Sequence, residues 1–368
     1  TLKNRMITTS MSPGAGYVTK DNRPTQRLAN YLEERAEGQT ALIIQTICPW
    51  KRNDIDPDHI HELPSCYDES CIPDLQRYMI EPVHKHGGLI CAQPYYVHDW
   101  KPDAETPEGP YGPSDIAILK FMGGFRAMTL EQIEAFKQQY FNAARVCKEA
   151  GFDAIEVMAG VGGILSRFMA LATNNRTDEY GGSLENRARL LLMIIDRIRQ
   201  YCGEDFLIEV RFSGTEYVEG GYTLKEGVEF AKLMDGRADL LHVSACNFYF
   251  PETECLMVPG MFKEEGHNLY LAEEIKRHVK HSHVVSVGAH RDPKKIEDIL
   301  AAGKVDMIAV CRAVNADPQF VNKLKRNQEE EIRPCLRCNA CIANYQTRTR
   351  NLFSTPKTPV KPKPSPIS

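Results

Sequence analysis

Three cysteines near the C-terminal end of the sequence, Cys335, Cys338 and Cys341, have the spacing C-x2-C-x2-C. Thiolates from one tight loop can bind three corners of a [4Fe–4S] cluster, which needs a fourth ligand. No cysteine follows Cys341. The motif predicts an iron–sulfur segment. The alternatives are a structural zinc site completed by a histidine from elsewhere, or three unligated reduced thiols.

Further residues with chemical potential stand at the ends of short apolar runs. Gln93 ends LICAQ, Arg211 ends LIEVR and Arg312 ends MIAVCR. A buried arginine needs an anion or a developing negative charge as partner, and backbone N–H groups beside Arg312 could hold a phosphate. The competing interpretations are an ion pair between Arg211 and Glu156, a surface ion pair for Arg312, and a structural amide at Gln93. The first interpretation predicts a site for a phosphorylated cofactor.

Eight apolar runs alternate with amphipathic, helix-like patterns along the chain. The runs are RMITTS, ALIIQT, LICAQP, AIEVMA, LIEVRF, LLHVSA, VVSVGA and MIAVCR. Strands that are buried on both faces have this composition, and their alternation with helices predicts an α/β fold, a (β/α)8 TIM barrel, with the active site at the C-terminal ends of the strands. An open doubly wound sheet is disfavoured because no G-x-G-x-x-G turn follows the first run.

The predicted domains are a barrel over residues 1–328, an iron–sulfur segment over 329–350 and a disordered Pro/Lys-rich tail over 351–368. The stretch from Pro94 to Phe125 is too long for a simple connection, and we expect it to cover the mouth of the barrel.

Composition excludes several classes of partner. The formal net charge of -4 gives no attraction to nucleic acid or to anionic membranes. No apolar run approaches the roughly 20 residues that span a bilayer, and the N-terminus lacks a secretory signal. We therefore expect a cytoplasmic protein without nucleic-acid or membrane partners.

The run TNNRTDEYGGSLENRARLL, residues 173–191, resembles the signature of the old yellow enzyme family. The similarity is to the branch of 2,4-dienoyl-CoA reductase, bile-acid-operon enoate reductases and related NADH:flavin oxidoreductases. LKNRM, YLEERAEG and DMIAVCRAVNADPQF match the same family in order, so the resemblance extends to Cys341. It implies FMN, a [4Fe–4S] cluster, and NAD(P)H as an indirect electron donor through an FAD/NAD(P)H module that this sequence lacks. Because the initiator Met and the fourth cysteine are missing, we expect the chain to be truncated at both ends. The sequence does not decide whether the protein forms a homo-oligomer.

The resemblance also implies which residues contact FMN. Family members often have Pro-Met or Pro-Leu after the first strand and Gly before the phosphate-binding Arg, whereas this chain has Ser10 and Cys311 there. The implied contacts are Thr9, Ser10, Met11, Ser12, Gln45, Gln93, Arg211, Gly288, Ala289, Cys311 and Arg312.

The implied reaction is hydride transfer from reduced flavin to a C=C bond conjugated to a carbonyl, with an acid protonating the neighbouring carbon. The family's His and Tyr donors are replaced here by Val161 and Gly163. Either the donor comes from elsewhere, with Tyr249 and Tyr95 as the candidates, or the substrate needs none, or reductase activity is lost. The wider mouth suits a steroid or bile-acid-like enone, and the alternative is a non-catalytic flavin-binding fragment or partner subunit.

Overall fold

Eight parallel strands close into a barrel in the computed structural model, which describes residues 1–10, 16–49, 63–95, 111–116, 124–247, 250 and 253–341. Around the barrel the order is β1, β2, β3, β6, β7, β8, β9 and β10. All eight predicted strands are present, and the predicted (β/α)8 barrel is confirmed. The barrel strands are β1 (Met6–Thr8), β2 (Leu42–Ile47), β3 (Leu89–Pro94), β6 (Ala154–Ala159), β7 (Leu207–Ser213), β8 (Leu240–Ser244), β9 (His283–Val287) and β10 (Met307–Val310).

Helices between the strands form the outer layer. One turn of π-helix, Gln76–Ile80, joins α2 to α3. No helix in the described ranges is long and apolar enough to cross a membrane. The helices are α1 (Gln26–Glu37), α2 (Ile72–Leu75), α3 (Glu81–His84), α4 (Leu130–Ala150), α5 (Ile164–Met169), α6 (Leu184–Cys202), α7 (Leu224–Met234), α8 (Glu254–Met257), α9 (Leu269–Lys276), α10 (Pro293–Ala301), α11 (Arg312–Ala316) and α12 (Phe320–Lys325).

Helix α4 shows how local sequence sets these boundaries. The side chain of Thr129 accepts a hydrogen bond from the N–H of Gln132, and the Gln132 side chain accepts one from the N–H of Thr129. This reciprocal capping box satisfies N–H groups that the first helical turn leaves free. The helix ends at Gly151, whose φ of 99° suits a residue without Cβ.

The barrel interior changes from apolar to polar along its axis. Ile7, Ile44, Cys91 and Leu240 belong to an apolar cluster inside the barrel. Side chains alternate between the two faces of a strand, so residues two positions further along each strand also face the interior, nearer its C-terminal end. On these strands the next inward positions are polar, which places polar side chains at the mouth.

The connection after β3 includes a small parallel sheet of β4 (Tyr111–Gly112) and β5 (Arg126–Ala127). Buried Arg167 anchors this sheet, since its guanidinium lies 4.2 Å from the ring centroid of Phe125 and donates a hydrogen bond to the Tyr111 carbonyl. Coverage of the mouth by residues 94–125 stays a prediction, because 96–110 and 117–123 lie outside the described ranges. The predicted tail also lies outside them.

Candidate active site

Arg211 is positioned at the mouth by hydroxyl groups from two other strands. Its Nε donates to Ser244 Oγ at 2.8 Å, and its Nη1 donates to Thr9 Oγ1 at 2.9 Å. Ser244 ends β8 and buried Thr9 directly follows β1. These bonds orient the guanidinium without neutralising it, so its positive charge remains available to an anionic group at the mouth. They differ from the Glu156 ion pair considered as an alternative.

Gln93 belongs to a row of hydrogen bonds that we call the polar chain, formed by Ser10, Thr46, Gln93 and Glu156. Ser10 Oγ is hydrogen-bonded to Thr46 Oγ1, and Thr46 Oγ1 donates to Gln93 Oε1 at 3.2 Å. Gln93 Nε2 donates to Glu156 Oε1. A carboxylate can only accept, so Glu156 fixes which end of the Gln93 amide faces which neighbour.

Strand β2 contributes Thr46 to the polar chain, a residue that the sequence analysis did not single out. Gln45 is buried, and its Nε2 donates to the carbonyl oxygen of Thr46 at 3.0 Å. Because consecutive residues of a strand point to opposite faces, Gln45 and Thr46 do not share the barrel interior. The role of Gln45 as an FMN contact stays a prediction.

The two loops predicted to hold a phosphate are neighbours. β9 and β10 pair side by side, so residues 288–289 and 311–312 emerge at the same edge of the barrel. Gly288 has a φ of 141° and Ala289 a φ of 61°. Both φ values lie in the left-handed region, which glycine at 288 adopts without strain.

Arg312 begins α11 and contacts other elements near these loops. Its Nη1 donates to the Pro259 carbonyl at 3.0 Å and to Asn339 Oδ1 at 2.6 Å. Both acceptors are neutral, unlike those of the surface ion pair considered as an alternative. Burial raises the pKa of the neighbouring Cys311 thiol to about 12, so this side chain is uncharged at neutral pH.

The turn after β6 has an unusual backbone at the position where the family carries its histidine. Val161 has a φ of 57°, which is a genuine outlier for a β-branched residue. Its N–H donates to Ser213 Oγ at 3.1 Å. Gly160 must be small, since a Cβ there would lie 3.0 Å from backbone atoms of Phe212. No side chain in this turn could protonate a substrate.

Of the predicted proton donors, Tyr95 directly follows β3 and is half-buried. Its N–H donates to the carbonyl oxygen of Ile47 at 3.1 Å, which fixes its backbone beside the end of β2. Tyr249, Met11 and Ser12 lie outside the described residues. Their roles stay predictions.

Residues 335–341, which we call the cysteine segment, form a tight loop. Arg337 and Asn339 have left-handed φ values of 54° and 58°, so the backbone reverses direction between the cysteines. The N–H of Arg337 donates to Cys335 Sγ at 3.4 Å, the kind of bond that stabilises a charged thiolate. Burial raises the pKa of Cys341, and the nearby Cys335 and Cys338 raise it further.

The geometry of the three sulfurs bears on which metal they could bind. A single tetrahedral zinc ion would bring its sulfur ligands to about 3.8 Å from one another. Among the described residues, the sulfurs of these three cysteines do not all lie within 4.8 Å of one another. The iron–sulfur and the zinc interpretations both stay predictions.

A barrel with these residues at its mouth can be compared with known proteins. The model of the NADH:flavin oxidoreductase / NADH oxidase family matches residues 1–331. The chain belongs to this family. Membership confirms the predicted similarity to the old yellow enzyme family. It also supports an oxidoreductase activity for the barrel and FMN as its cofactor.

Curated relatives include an NADH oxidase from Thermoanaerobacter brockii, 36% identical over 93% of this chain and 52% of its own length. A cinnamate reductase from Clostridium sporogenes is 30% identical over 94% of this chain and 54% of its own length. The chain thus spans about half the length of these relatives. Among solved structures, a 2-naphthoyl-CoA reductase complex has a TM-score of 0.82 at 28% identity, covering 92% of this chain and 52% of that one.

Three buried residues of the family barrel were missed by the sequence analysis as site residues. Glu209 and His242 were not considered, and Glu156 appeared only as a partner for Arg211. The available signal was a charged or titratable residue in the middle of each apolar run, in AIEVMA, LIEVRF and LLHVSA. Such a residue is costly to bury unless it is paired, so three of them on neighbouring strands indicate contact.

Proposed function

We propose that this chain is the FMN-binding barrel of a reductase that acts on a C=C bond conjugated to a carbonyl group. The observation that carries the proposal is Arg211, whose guanidinium is held at the mouth by Thr9 and Ser244 with its charge not neutralised by them. FMN, when bound, supplies hydride transfer at its ring. Arg211 suits the ring edge that becomes negative on reduction.

Other residues of the mouth fit the same cofactor. Gln93 presents an oriented amide that suits the pyrimidine edge of the ring. The loops at 288–289 and 311–312 suit the phosphate, because they lie side by side at the C-terminal edge of the barrel and Arg312 follows the second of the two strands. Among the described residues at the mouth, Tyr95 is the candidate general acid that donates a proton to the substrate carbon.

Substrate and electron source are extensions of this proposal. The turn after β6 carries only Val161 among glycines at 160–163, and we propose on the basis of these small side chains that the substrate is a bulky polycyclic enone such as a steroid or bile acid. Relatives named cinnamate reductase and 2-naphthoyl-CoA reductase support this substrate class, since both named compounds carry a carbonyl group next to unsaturated carbons. We propose that electrons come from NAD(P)H through an FAD/NAD(P)H module of a longer or partner chain, and through an iron–sulfur cluster at the cysteine segment.

The proposal is tested by reconstituting the protein with FMN, reducing it by light without oxygen, and mixing it with cinnamate or with a 3-oxo-Δ4 steroid. We expect the flavin absorbance of the oxidised form to return in a single turnover, faster with the steroid. No reoxidation by either enone, with normal reoxidation by oxygen, would instead indicate a non-catalytic flavin-binding chain.

The role of Tyr95 has its own variant. Tyr95→Phe should slow reoxidation by the enone at least about a hundredfold, the usual contribution of a general acid, while FMN affinity stays unchanged. The matched control is Tyr201→Phe on α6, where an exposed hydroxyl donates to Glu149. Equal rates in the two variants would exclude Tyr95 as the donor and leave Tyr249 as the candidate.

A further inference from the structure

Glu156, Glu209 and His242 form a group inside the barrel that the proposed function does not use, and we call it the buried triad. The three side chains project from β6, β7 and β8 and have no solvent exposure. His242 Nδ1 lies 2.7 Å from Glu209 Oε1 and 3.2 Å from Glu156 Oε2. One imidazole nitrogen therefore lies between two carboxyl groups.

Three atoms of the buried triad, all fully buried, have no hydrogen-bond partner among the described residues: Glu156 Oε2, Glu209 Oε2 and His242 Nε2. Of these, Glu156 Oε2 has an ion-pair contact with His242 Nδ1 at 3.2 Å. A buried polar atom without a partner is costly, and the cost depends on whether the atom carries a proton. Glu209 Oε2 is therefore a position where a proton can be gained or lost without breaking a bond that the structure contains.

Burial opposes a charge on each group of the buried triad, and the neighbouring groups offset this to different extents. Burial opposes ionisation of Glu156, but hydrogen bonds from His242 and Gln93 and the charge of Arg211 outweigh burial and lower its pKa. Burial raises the pKa of Glu209. Burial also opposes a charge on His242, yet the two carboxyl groups outweigh it and raise the pKa. Of the three groups, Glu209 is the one whose charge is least favoured.

Other titratable groups face the buried triad from neighbouring elements. Arg211 lies on β7, next in its row to His242 of β8. Cys91 of β3 and Tyr140 of α4 are buried within electrostatic range of Glu156, and burial raises the pKa of both groups, so both are neutral at physiological pH. The only fixed charge among these neighbours is the guanidinium of Arg211, which also faces the mouth.

Two residues connect the buried triad with the predicted flavin site. Gln93 donates to Glu156 through Nε2 and accepts from Thr46 through Oε1. Arg211 lowers the pKa of Glu156 by its charge while its hydrogen bonds reach Thr9 and Ser244 at the mouth. A negative charge above Arg211 would offset its effect on the carboxyl groups below. Proton binding by the triad would then become more favourable.

We propose that Glu156, Glu209 and His242 are a proton-binding site that takes up one proton from solvent when a flavin above Arg211 becomes negatively charged. The proton bonds to Glu209 Oε2, and no electron passes through the triad, since the flavin receives its electrons from the external reductant. The three residues act on the flavin's charge through Arg211, so they are positioning residues and not catalytic ones. This inference rests on the flavin site that is part of the proposed function.

A divalent cation is the competing occupant, because two carboxylates and an imidazole are common metal ligands and their atoms lie within 4.8 Å of one another. Charge balance argues against it. The charge of Arg211 already acts on both carboxyl groups, and a dication beside it would add further positive charge in the barrel interior.

The test is the midpoint potential of the bound FMN, measured against pH in the neutral range for the wild type and for Glu209→Gln. The wild type should take up one proton more per electron pair than the variant, and its potential should therefore fall more steeply as pH rises. The matched control is Glu216→Gln, a buried carboxyl away from the triad that should keep the wild-type slope. Equal slopes for the wild type and Glu209→Gln would overturn the proposal.

A second measurement does not need the flavin. Protein labelled with 13C in the histidine rings gives a His242 signal that is identified by its loss in His242→Gln. We expect the imidazolium form in the apoprotein at neutral pH, whereas a neutral ring, or stoichiometric zinc or manganese bound at this signal, would overturn the proposal. If FMN does not bind at all, the proposed function fails while this signal still reports on the triad.

Discussion

Glu216 is a buried carboxyl group in the loop that follows β7. Its Oε1 accepts hydrogen bonds from Ser166 at 3.3 Å and from Asn247 at 3.1 Å, and burial raises its pKa to about 8 from an ordinary value of 4.5. Between these two values the folded protein holds a proton that the unfolded chain has released. The free energy of unfolding should therefore fall with rising pH, by up to about 1.4 kcal/mol per pH unit.

Glu216→Gln should remove this slope, because the neutral amide keeps the shape and hydrogen bonding of the protonated acid. We expect the variant to gain stability over the wild type steadily from pH 5 to about 8, as measured by urea unfolding at each pH. Glu219→Gln, three residues away and exposed, is the control and should leave the slope unchanged. A parallel pH dependence in wild type and Glu216→Gln would contradict a buried neutral Glu216.

At the same scale, the sequence analysis placed Arg211 and Gln93 near the mouth because each stands at the C-terminal end of an apolar run. The structure extends β7 two residues beyond Arg211 and β3 one residue beyond Gln93. Thr46 and His242 were missed because period-two alternation leaves the inward face undetermined when neighbours on both sides are apolar. Only the closed barrel shows that both residues point inward and meet residues of other strands.

The cysteine segment shows how a short element is held against the barrel. Asn339 accepts from Arg312 at 2.6 Å and donates to the Val258 carbonyl at 2.8 Å. Arg291, which is paired with Glu265, donates to the Cys335 carbonyl at 2.7 Å. The segment therefore docks on the loops that follow β8, β9 and β10, beside the predicted phosphate site. This position supports its proposed role in delivering electrons to the barrel.

Asn339→Gly should release the segment without straining it, since glycine accepts the left-handed φ of 58° and lacks only the bridging amide. Losing two hydrogen bonds worth about 1 kcal/mol each should speed amide exchange in residues 332–341 about thirtyfold, measured by hydrogen exchange and mass spectrometry.

The control for this element is Asn327→Gly, which has a similar left-handed φ of 54° and is exposed. It should leave exchange in the segment unchanged. Equal acceleration in both variants would mean that the effect comes from backbone flexibility and not from docking.

For the whole molecule, the eight apolar runs were sufficient to predict the barrel, because a parallel sheet buried on both faces gives each strand a continuous apolar composition. The sequence did not predict β4 and β5, whose two-residue strands carry no periodicity that could be recognised. Nor could it predict the polar chain and the buried triad, which join residues from six strands or strand ends and depend on the closed shape.

The closed shape also makes the proposed cofactor a stabiliser of the entire fold. The predicted FMN contacts come from β1, β2, β3, β7, β9 and β10 or the residues that follow them, so a bound FMN would join both sides of the barrel. A ligand that binds only the folded state at a hundred times its dissociation constant should raise the free energy of unfolding by about 2.7 kcal/mol. We expect a corresponding shift of the urea midpoint with FMN.

Riboflavin, which lacks the phosphate, separates the ring site from the phosphate site in this experiment. At equal concentration it should stabilise the protein much less than FMN, because the loops at 288–289 and 311–312 would have no anion to bind. Arg312→Ala should reduce the stabilisation by FMN and leave that by riboflavin nearly unchanged. If riboflavin stabilises the wild type as strongly as FMN does, these loops do not form a phosphate site, and the ring contacts of Arg211 and Gln93 alone hold the cofactor.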